Sequence, residues 1–199
     1  KANGDISIFA DDDTQYVENY EEIISNEYFK NPNADAIIFF VENNNAKREK
    51  NKKIGRKKMT ILDIMKVRTY EITLKKETLL RIRQNNIQFN SNFGPGGEFL
   101  KGEETIWLSE LMKKGFKIYS VDKKIGIAEN QNSTWFTGFN EKYLYDQGAI
   151  FYKLAPKMYM ILILQYLVRK YFQYRKNVKF IDAYKQMILG AKDCKRMNL

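Results

Sequence analysis

The stretch from Asp5 to Ala10, D-I-S-I-F-A, is a short apolar run rich in β-branched residues, and it ends abruptly in three consecutive aspartates, Asp11, Asp12 and Asp13. Such a run reads as a buried strand. A helix fits from about Val17 to Phe29, with Tyr20, Ile23, Ile24 and Tyr28 on one face and Asn31-Pro32 as its stop. Ala36 to Val41, A-I-I-F-F-V, reads as a second buried strand. Strand, helix, strand in this order is a parallel α/β signature. Ligands of open α/β sheets bind in the crevice beyond the carboxyl ends of the strands, so three acids at a strand tip point to chemistry there.

Carboxylates packed this closely repel one another unless a cation sits between them, and hard oxygen donors suit magnesium or manganese. With one or two protein carboxylates holding it, such an ion completes its shell with substrate phosphates. The structural alternative is that Asp11 to Asp13 cap the helix that follows, although three in a row exceeds what a cap requires.

Further along, residues 47 to 58 hold eight Lys/Arg and one Glu without apolar periodicity, as a solvated loop or a phosphate-binding patch. Residues 69 to 74 suggest a strand, and Glu77 to Arg83 a short helix. A glycine-rich turn, Phe93-Gly94-Pro95-Gly96-Gly97, precedes Gly102-Glu103-Glu104. A helix follows with Trp107, Leu108, Leu111 and Met112 on one stripe and Gly115 placed as its C-cap. Phe116 to Val121 reads as a strand, Asn130 to Phe139 as a polar and aromatic loop, and about Gln147 to Tyr174 as one long helical region. Helices favour acids in the first turn, but Glu104 precedes Trp107 and Leu108 by three and four residues and so falls on the inward side. A carboxylate there, beside glycines such as Gly96 and Gly97 that permit close approach, suits a general base.

Charge divides the chain. Residues 1 to 151 carry 23 Lys/Arg against 22 Asp/Glu, and residues 152 to 199 carry 11 against 2. A uniformly basic nucleic-acid-binding surface is disfavoured by this asymmetry, which points to a basic appendage on a near-neutral body. The expected division is 1–146 for a catalytic part and 147–199 for a basic helical region. The one cysteine, Cys194, cannot form an internal disulfide, which suits a reducing compartment. No secretory signal is evident and Lys1 is not preceded by an initiator methionine, so a piece of a longer cytoplasmic protein is expected.

The strand running into D-x-D (Ile6-Ser7-Ile8-Phe9-Ala10-Asp11-Asp12-Asp13) and, roughly a hundred residues on, Gly102-Glu103-Glu104-Thr105-Ile106-Trp107-Leu108 closing in Lys114-Gly115-Phe116-Lys117-Ile118 together resemble glycosyltransferase family 2, which has the GT-A fold. The resemblance covers about residues 1 to 150. It implies a GT-A-like mixed α/β sheet flanked by helices, without the family's N-terminal nucleotide-base-binding segment. By the same resemblance, Asp11 and Asp13 hold a divalent metal (manganese or magnesium), and Asp11, Asp12 and Asp13 bind the nucleotide-diphosphate sugar. Glu104 takes the place of the family's catalytic aspartate and Glu103 that of the preceding glutamate, with the base left open between them. No histidine is present to join the metal, and Glu129 or Asn130 are candidate substitutes. The implied reaction is an inverting single displacement, and the chain in isolation is expected to be inactive and to bind uridine diphosphate weakly.

On the acceptor side, Asn132-Ser133-Thr134-Trp135-Phe136 offers hydroxyls beside aromatic faces, so Trp135 and Phe136, with Gly96 and Gly97, are candidates to receive a glycan or lipid-linked acceptor; a core role for the two aromatics is the alternative. Met158 to Val168 is apolar except for Gln165 and is too short to span a bilayer. Flanked by Lys157, Arg169 and Lys170, it either packs on the body or lies on an anionic membrane. The expected function is a glycosyltransferase of polysaccharide or glycoconjugate synthesis, cytoplasmic or peripheral at the inner face of the membrane. Rival readings are a non-catalytic basic module for nucleic acid or anionic lipid, which leaves the aspartates unexplained, and a metal-dependent nucleotidyltransferase.

Overall fold

The structure is a computed structural model that describes residues 4–43, 57–129 and 138–197. The chain forms two compact units, Lys1–Gln88 with Trp107–Ser133, and Phe89–Ile106 with Thr134–Leu199.

The first unit is built on a mixed sheet of six strands: β1 (Ile6–Ile8), β2 (Thr14–Tyr16), β3 (Ala36–Asn43), β4 (Lys57–Lys58), β5 (Ile72–Lys75) and β6 (Ile118–Ala128). The order is β1-β5-β3-β6-β2, with β4 also pairing to β6. Among the described strands only β3 and β6 are parallel neighbours, in a register that begins Ala36↔Ile118 and ends Asn43↔Ala128. β5 lies between β1 and β3 and runs antiparallel to both. The strand–helix–strand order therefore does not place β1 beside β3, and the parallel partner of β3 arrives some eighty residues later.

Alternation along β3 explains its uninterrupted apolar sequence. Ile37, Phe39 and Val41 join Ile24 and Tyr28 of helix α1 (Tyr20–Lys30) in one buried cluster. Ala36 and Ile38 join Trp107, Leu108 and Leu111 of helix α4 (Glu103–Lys113) in another, together with Ile72, Leu74 and Ile118. Period-two geometry sends successive side chains to opposite faces, and both faces are covered. Each fully buried aliphatic or aromatic side chain of this kind contributes roughly 1.5–3 kcal/mol. Two shorter helices, α2 (Ile61–Ile64) and α3 (Lys76–Gln84), complete the unit.

Polar bonding locks α1 to the sheet. The Tyr28 hydroxyl lies 3.0 Å from Thr73 Oγ1 and accepts from Ile37 N at 3.2 Å, while Thr73 Oγ1 donates to Ile37 O at 2.9 Å. Burial pushes the Tyr28 phenol well above its ordinary pKa, so it stays protonated.

Several elements differ from their sequence expectations. The Asp5–Ala10 run pairs only over Ile6–Ile8 and stays half-buried, because β1 has a neighbour on one side alone among the described residues. Residues 69–74 split into a 3-10 turn, Thr69–Glu71, and the start of β5. β6 runs on to Ala128 through the polar Asp122-Lys123-Lys124, and β2 follows the acidic run directly.

The second unit holds three helices, α5 (Glu141–Leu154), α6 (Tyr159–Tyr174) and α7 (Phe180–Arg196). Asn140 caps α5, its side chain accepting from Tyr143 N at 2.8 Å. The long helical region expected from Gln147 to Tyr174 breaks after Leu154, where Pro156 lacks the N–H a continuing helix needs. The boundary expected between residues 146 and 147 falls inside α5.

α5 and α7 pack backbone to backbone. A Cβ at Gly148 would lie 1.9 Å from Met187 O, and one at Gly190 would lie 1.9 Å from Tyr145 O. Alanine normally stabilises a helix interior by up to about 1 kcal/mol over glycine; here the clash reverses the sign. Gly148→Ala and Gly190→Ala should each destabilise the protein by about 1–3 kcal/mol, read by urea denaturation, whereas a neutral or stabilising effect would contradict this helix contact.

Candidate active site

The acidic run occupies the place its chemistry suggests. β1, β3 and β6 point the same way, so Ile8, Asn43 and Ala128 mark one carboxyl edge of the sheet. β1 and β2 stand at opposite ends of the strand order, and the acidic turn carries the chain between them along that edge. Phe9 N extends the ladder by donating to Ile72 O at 3.2 Å, and the Phe9 ring meets Trp107 edge-on at 5.7 Å. Thr14 N then donates to Asp11 O at 3.2 Å, closing the turn that holds Asp12 and Asp13.

Within the turn the three acids differ. Asp11 and Asp12 are exposed, and Asp13 is half-buried. Asp13 Oδ1 is shielded from solvent and has no hydrogen-bond partner among the described residues, a costly situation for a carboxylate oxygen unless a ligand supplies the missing charge. Glu129, one residue beyond β6, lies beside the turn: its N–H donates to Asp13 O at 3.0 Å and its Oε1 accepts from Gln15 Nε2 at 3.4 Å. Asn130 lies outside the described residues.

Helix capping does not account for the acids. α1 begins at Tyr20, its N-cap is Asn19, and its first-turn acids are Glu21 and Glu22. Among the described residues, no group of three or more His, Cys, Asp or Glu is arranged to hold a metal ion unaided. The donors that are present, two aspartates with one orphaned oxygen, fit an ion that takes the rest of its shell from phosphate.

Glu103 and Glu104 belong to the second unit, while Trp107 to Lys113 of the same helix α4 belong to the first. The loop before them is folded tightly on itself. Phe93 stacks on Phe99 at 4.9 Å, Gly94 N donates to Phe99 O at 2.8 Å, and Gly97 N donates to Gly94 O at 3.0 Å. Gly94 has φ +95°, and a Cβ there would lie 1.5 Å from Glu103 Oε2. The Glu103 carboxylate therefore rests on the glycine turn. Glu104, the next residue, is half-buried. A Cβ at Gly97 would strike the Asn92 backbone at 2.6 Å, whereas at Gly96 (φ +82°) it would meet nothing within 4 Å. Of the candidate acceptor residues, Gly97 is thus required by the loop's own packing and Gly96 opens to space; Trp135 and Phe136 lie outside the described residues. Of the basic stretch 47–58, only Lys57 and Lys58 are described, as β4.

Residues that the sequence did not single out anchor this loop. Lys142 on α5 donates to Glu98 O at 2.6 Å and to Asp146 Oδ1 at 2.8 Å. Leu100 N donates to Asp146 Oδ2 at 3.3 Å, and Lys101 Nζ donates to Gln147 Oε1 at 2.8 Å while standing 3.2 Å from the centre of the Tyr143 ring. Asp146 is 2% exposed, and burial raises its pKa against the opposing pull of Lys142 and Lys101. Part of the Lys101 stem reaches solvent, but its amine is enclosed, and burial lowers its pKa to about 7 against the attraction of Asp146. The only trace of this in the sequence is the i,i+4 spacing of Lys142 and Asp146, common on any solvated helix.

The Lys101 shift has a consequence for stability. Between about pH 7 and pH 10 the unfolded chain keeps the lysine proton that the folded chain has released, so this group makes stability rise with pH across that window and adds no slope below it. The difference in unfolding free energy between wild type and Lys101→Met should therefore climb in favour of wild type from about pH 7 to 10. A flat difference in urea denaturation series would contradict the enclosed amine.

No known protein family matches the sequence, and no curated protein is similar to it. Solved structures do resemble it: crystal structures of S. aureus TarS 1–349. The complex with UDP-GlcNAc superposes with a TM-score of 0.60 at 15% identity, covering 97% of this chain and 57% of that one. The structure of TarS 1–349 alone gives 0.59 at 14% identity, covering 96% and 57%, and the complex with UDP gives 0.55 at 15%, covering 95% and 57%. This chain spans little more than half the length of the TarS chains it resembles. At such low identity the likeness is one of fold: a mixed α/β sheet flanked by helices, similar to that of the glycosyltransferase TarS.

Proposed function

We propose that this chain is part of a glycosyltransferase that takes a sugar from a nucleoside-diphosphate donor and transfers it, with inversion, to a hydroxyl of a cell-surface polysaccharide or glycoconjugate. The observation that carries this reading is the buried Oδ1 of Asp13, without a hydrogen-bond partner among the described residues, in an acidic turn at the sheet's carboxyl edge. The fold likeness to TarS, which has been crystallised with UDP-GlcNAc and with UDP, supports it.

Asp11 and Asp13 hold the donor end of the site, with Asp12 beside them, and Glu129 is a further oxygen donor next to the turn. A magnesium or manganese ion bound there would neutralise charge on the departing diphosphate. Glu104 serves as the base. Glu103 packs against the glycine turn, and Glu104 stands where the resemblance to glycosyltransferase family 2 puts the catalytic acid. Glu104 takes the proton from the acceptor hydroxyl, and that oxygen forms its bond to the anomeric carbon. The bond from the anomeric carbon to the diphosphate oxygen breaks on the opposite side, its electron pair leaving with the nucleoside diphosphate. Gly96, Gly97, Trp135 and Phe136 are assigned to the acceptor.

The test is turnover of nucleotide sugars by the intact protein. Glu104→Gln should lower turnover by about 10²–10⁴-fold with little change in donor binding. Asp13→Ala should abolish the response to added manganese or magnesium. Unchanged turnover in both variants would overturn the assignment, and release of pyrophosphate from a nucleoside triphosphate would favour a nucleotidyltransferase instead.

A further inference from the structure

The outward face of α6 is apolar over its whole length. Ile163, Tyr166, Leu167 and Tyr174 are buried on the inner side. At 100° per residue, Met160, Ile161, Leu164, Val168, Tyr171 and Phe172 fall on one continuous outer arc. They are exposed there, with Ile161 at 62%, Val168 at 70% and Phe172 at 75%. An exposed apolar strip of this size marks an interaction surface.

Its charge setting is one-sided. From Gln147 to Ile181 the chain has seven Lys/Arg and no Asp or Glu. Lys157 precedes the helix and Arg169, Arg175 and Lys176 are exposed on or beside it. At the C-terminal end the Arg175 guanidinium lies 4.9 Å from the Phe172 ring centre, and Tyr171 meets Phe172 edge-on at 5.6 Å. Among the described residues no helix is long and apolar enough to cross a membrane. At 16 residues, α6 is about 24 Å long, short of a bilayer's hydrocarbon core.

We infer that the outer face of α6 seats this protein on an anionic lipid bilayer, with Ile161, Leu164, Val168 and Phe172 inserted at the headgroup boundary and Arg169, Arg175 and Lys176 on acidic headgroups. An apolar arc edged by cations and aromatics and free of acids is the pattern of a helix lying in the interface plane. A protein partner is disfavoured by the exposed lysines beside the strip, Lys157 and Lys176, since protein interfaces are depleted in lysine. The inference stands on α6 alone and does not depend on the catalytic reading.

Vesicle co-sedimentation of the intact protein tests it, using phosphatidylcholine vesicles with and without phosphatidylserine. Binding to the anionic vesicles should exceed binding to neutral ones by tenfold or more and weaken in high salt. Val168→Asp with Phe172→Asp, and separately Arg175→Glu with Lys176→Glu, should each lower anionic binding by about tenfold or more, with thermal unfolding unchanged because these side chains are exposed. Equal binding to both vesicle types, no binding, or binding untouched by either pair would overturn the inference. So would self-association that Val168→Asp abolishes in a protein that ignores vesicles. Loss of sugar transfer in Glu104→Gln with vesicle binding intact would separate this surface from the proposed chemistry.

Discussion

Parallel pairing of β3 with β6 packs the apolar residues of both strands into two hydrophobic clusters, leaving Asp122 and Lys123 of β6 exposed, and brings the carboxyl ends of both strands to one edge. The acidic turn lies along that end because β1 and β2 flank the sheet on opposite sides, and the residues between them must cross the carboxyl edge. Main-chain bonds from Thr14 to Asp11 and from Glu129 to Asp13 hold the turn. Among the described residues the buried Asp13 Oδ1 has no hydrogen-bond partner, which favours a ligand there.

The loop before Glu103 is positioned by a different kind of interaction. A buried carboxylate, Asp146, is tolerated because Lys142 and the Leu100 N–H meet it, and the same cluster holds the main chain at Glu98 and Leu100. Taking charges out of water is expensive, and such clusters add less to stability than their Coulomb attraction suggests. What this one supplies is a fixed path for the chain into Gly102, where a Cβ would strike Ile150 at 2.5 Å, and from there into the acid pair. Glycines that look alike in the sequence have separate causes: Gly94 makes room for Glu103, Gly97 for Asn92, and Gly148 and Gly190 for the backbones of facing helices.

Features with a local periodic signal were legible from the residues. The apolar run of β3, the stripe of α4 with Gly115 after it (φ +84°), and the apolar face of α1 all matched their periods. Pairing partners were not legible. β5 inserts between β1 and β3 because of where the chain returns, and nothing within I-T-L-K says so. Three-residue β2 gains its strand character from pairing with Gly126, Ile127 and Ala128 of β6, and in the polar middle of β6 Lys124 pairs with Phe40 of β3. At the site, the acids were visible as acids, but the absence of a capping role for Asp11 to Asp13 and the engagement of Glu103 by Gly94 became visible only in three dimensions. Lys101 and Asp146 were invisible because burial, which sequence spacing does not report, is what makes them unusual.

Asp13 is proposed to hold a nucleoside diphosphate through a bridging cation. Calorimetric titration of the intact protein with uridine diphosphate, in manganese and again in excess chelator, tests this most directly. Binding that requires manganese, and that Asp13→Asn removes while leaving the fold unchanged, is the predicted result. Equal affinity with and without the metal, or undiminished affinity in Asp13→Asn, would contradict it.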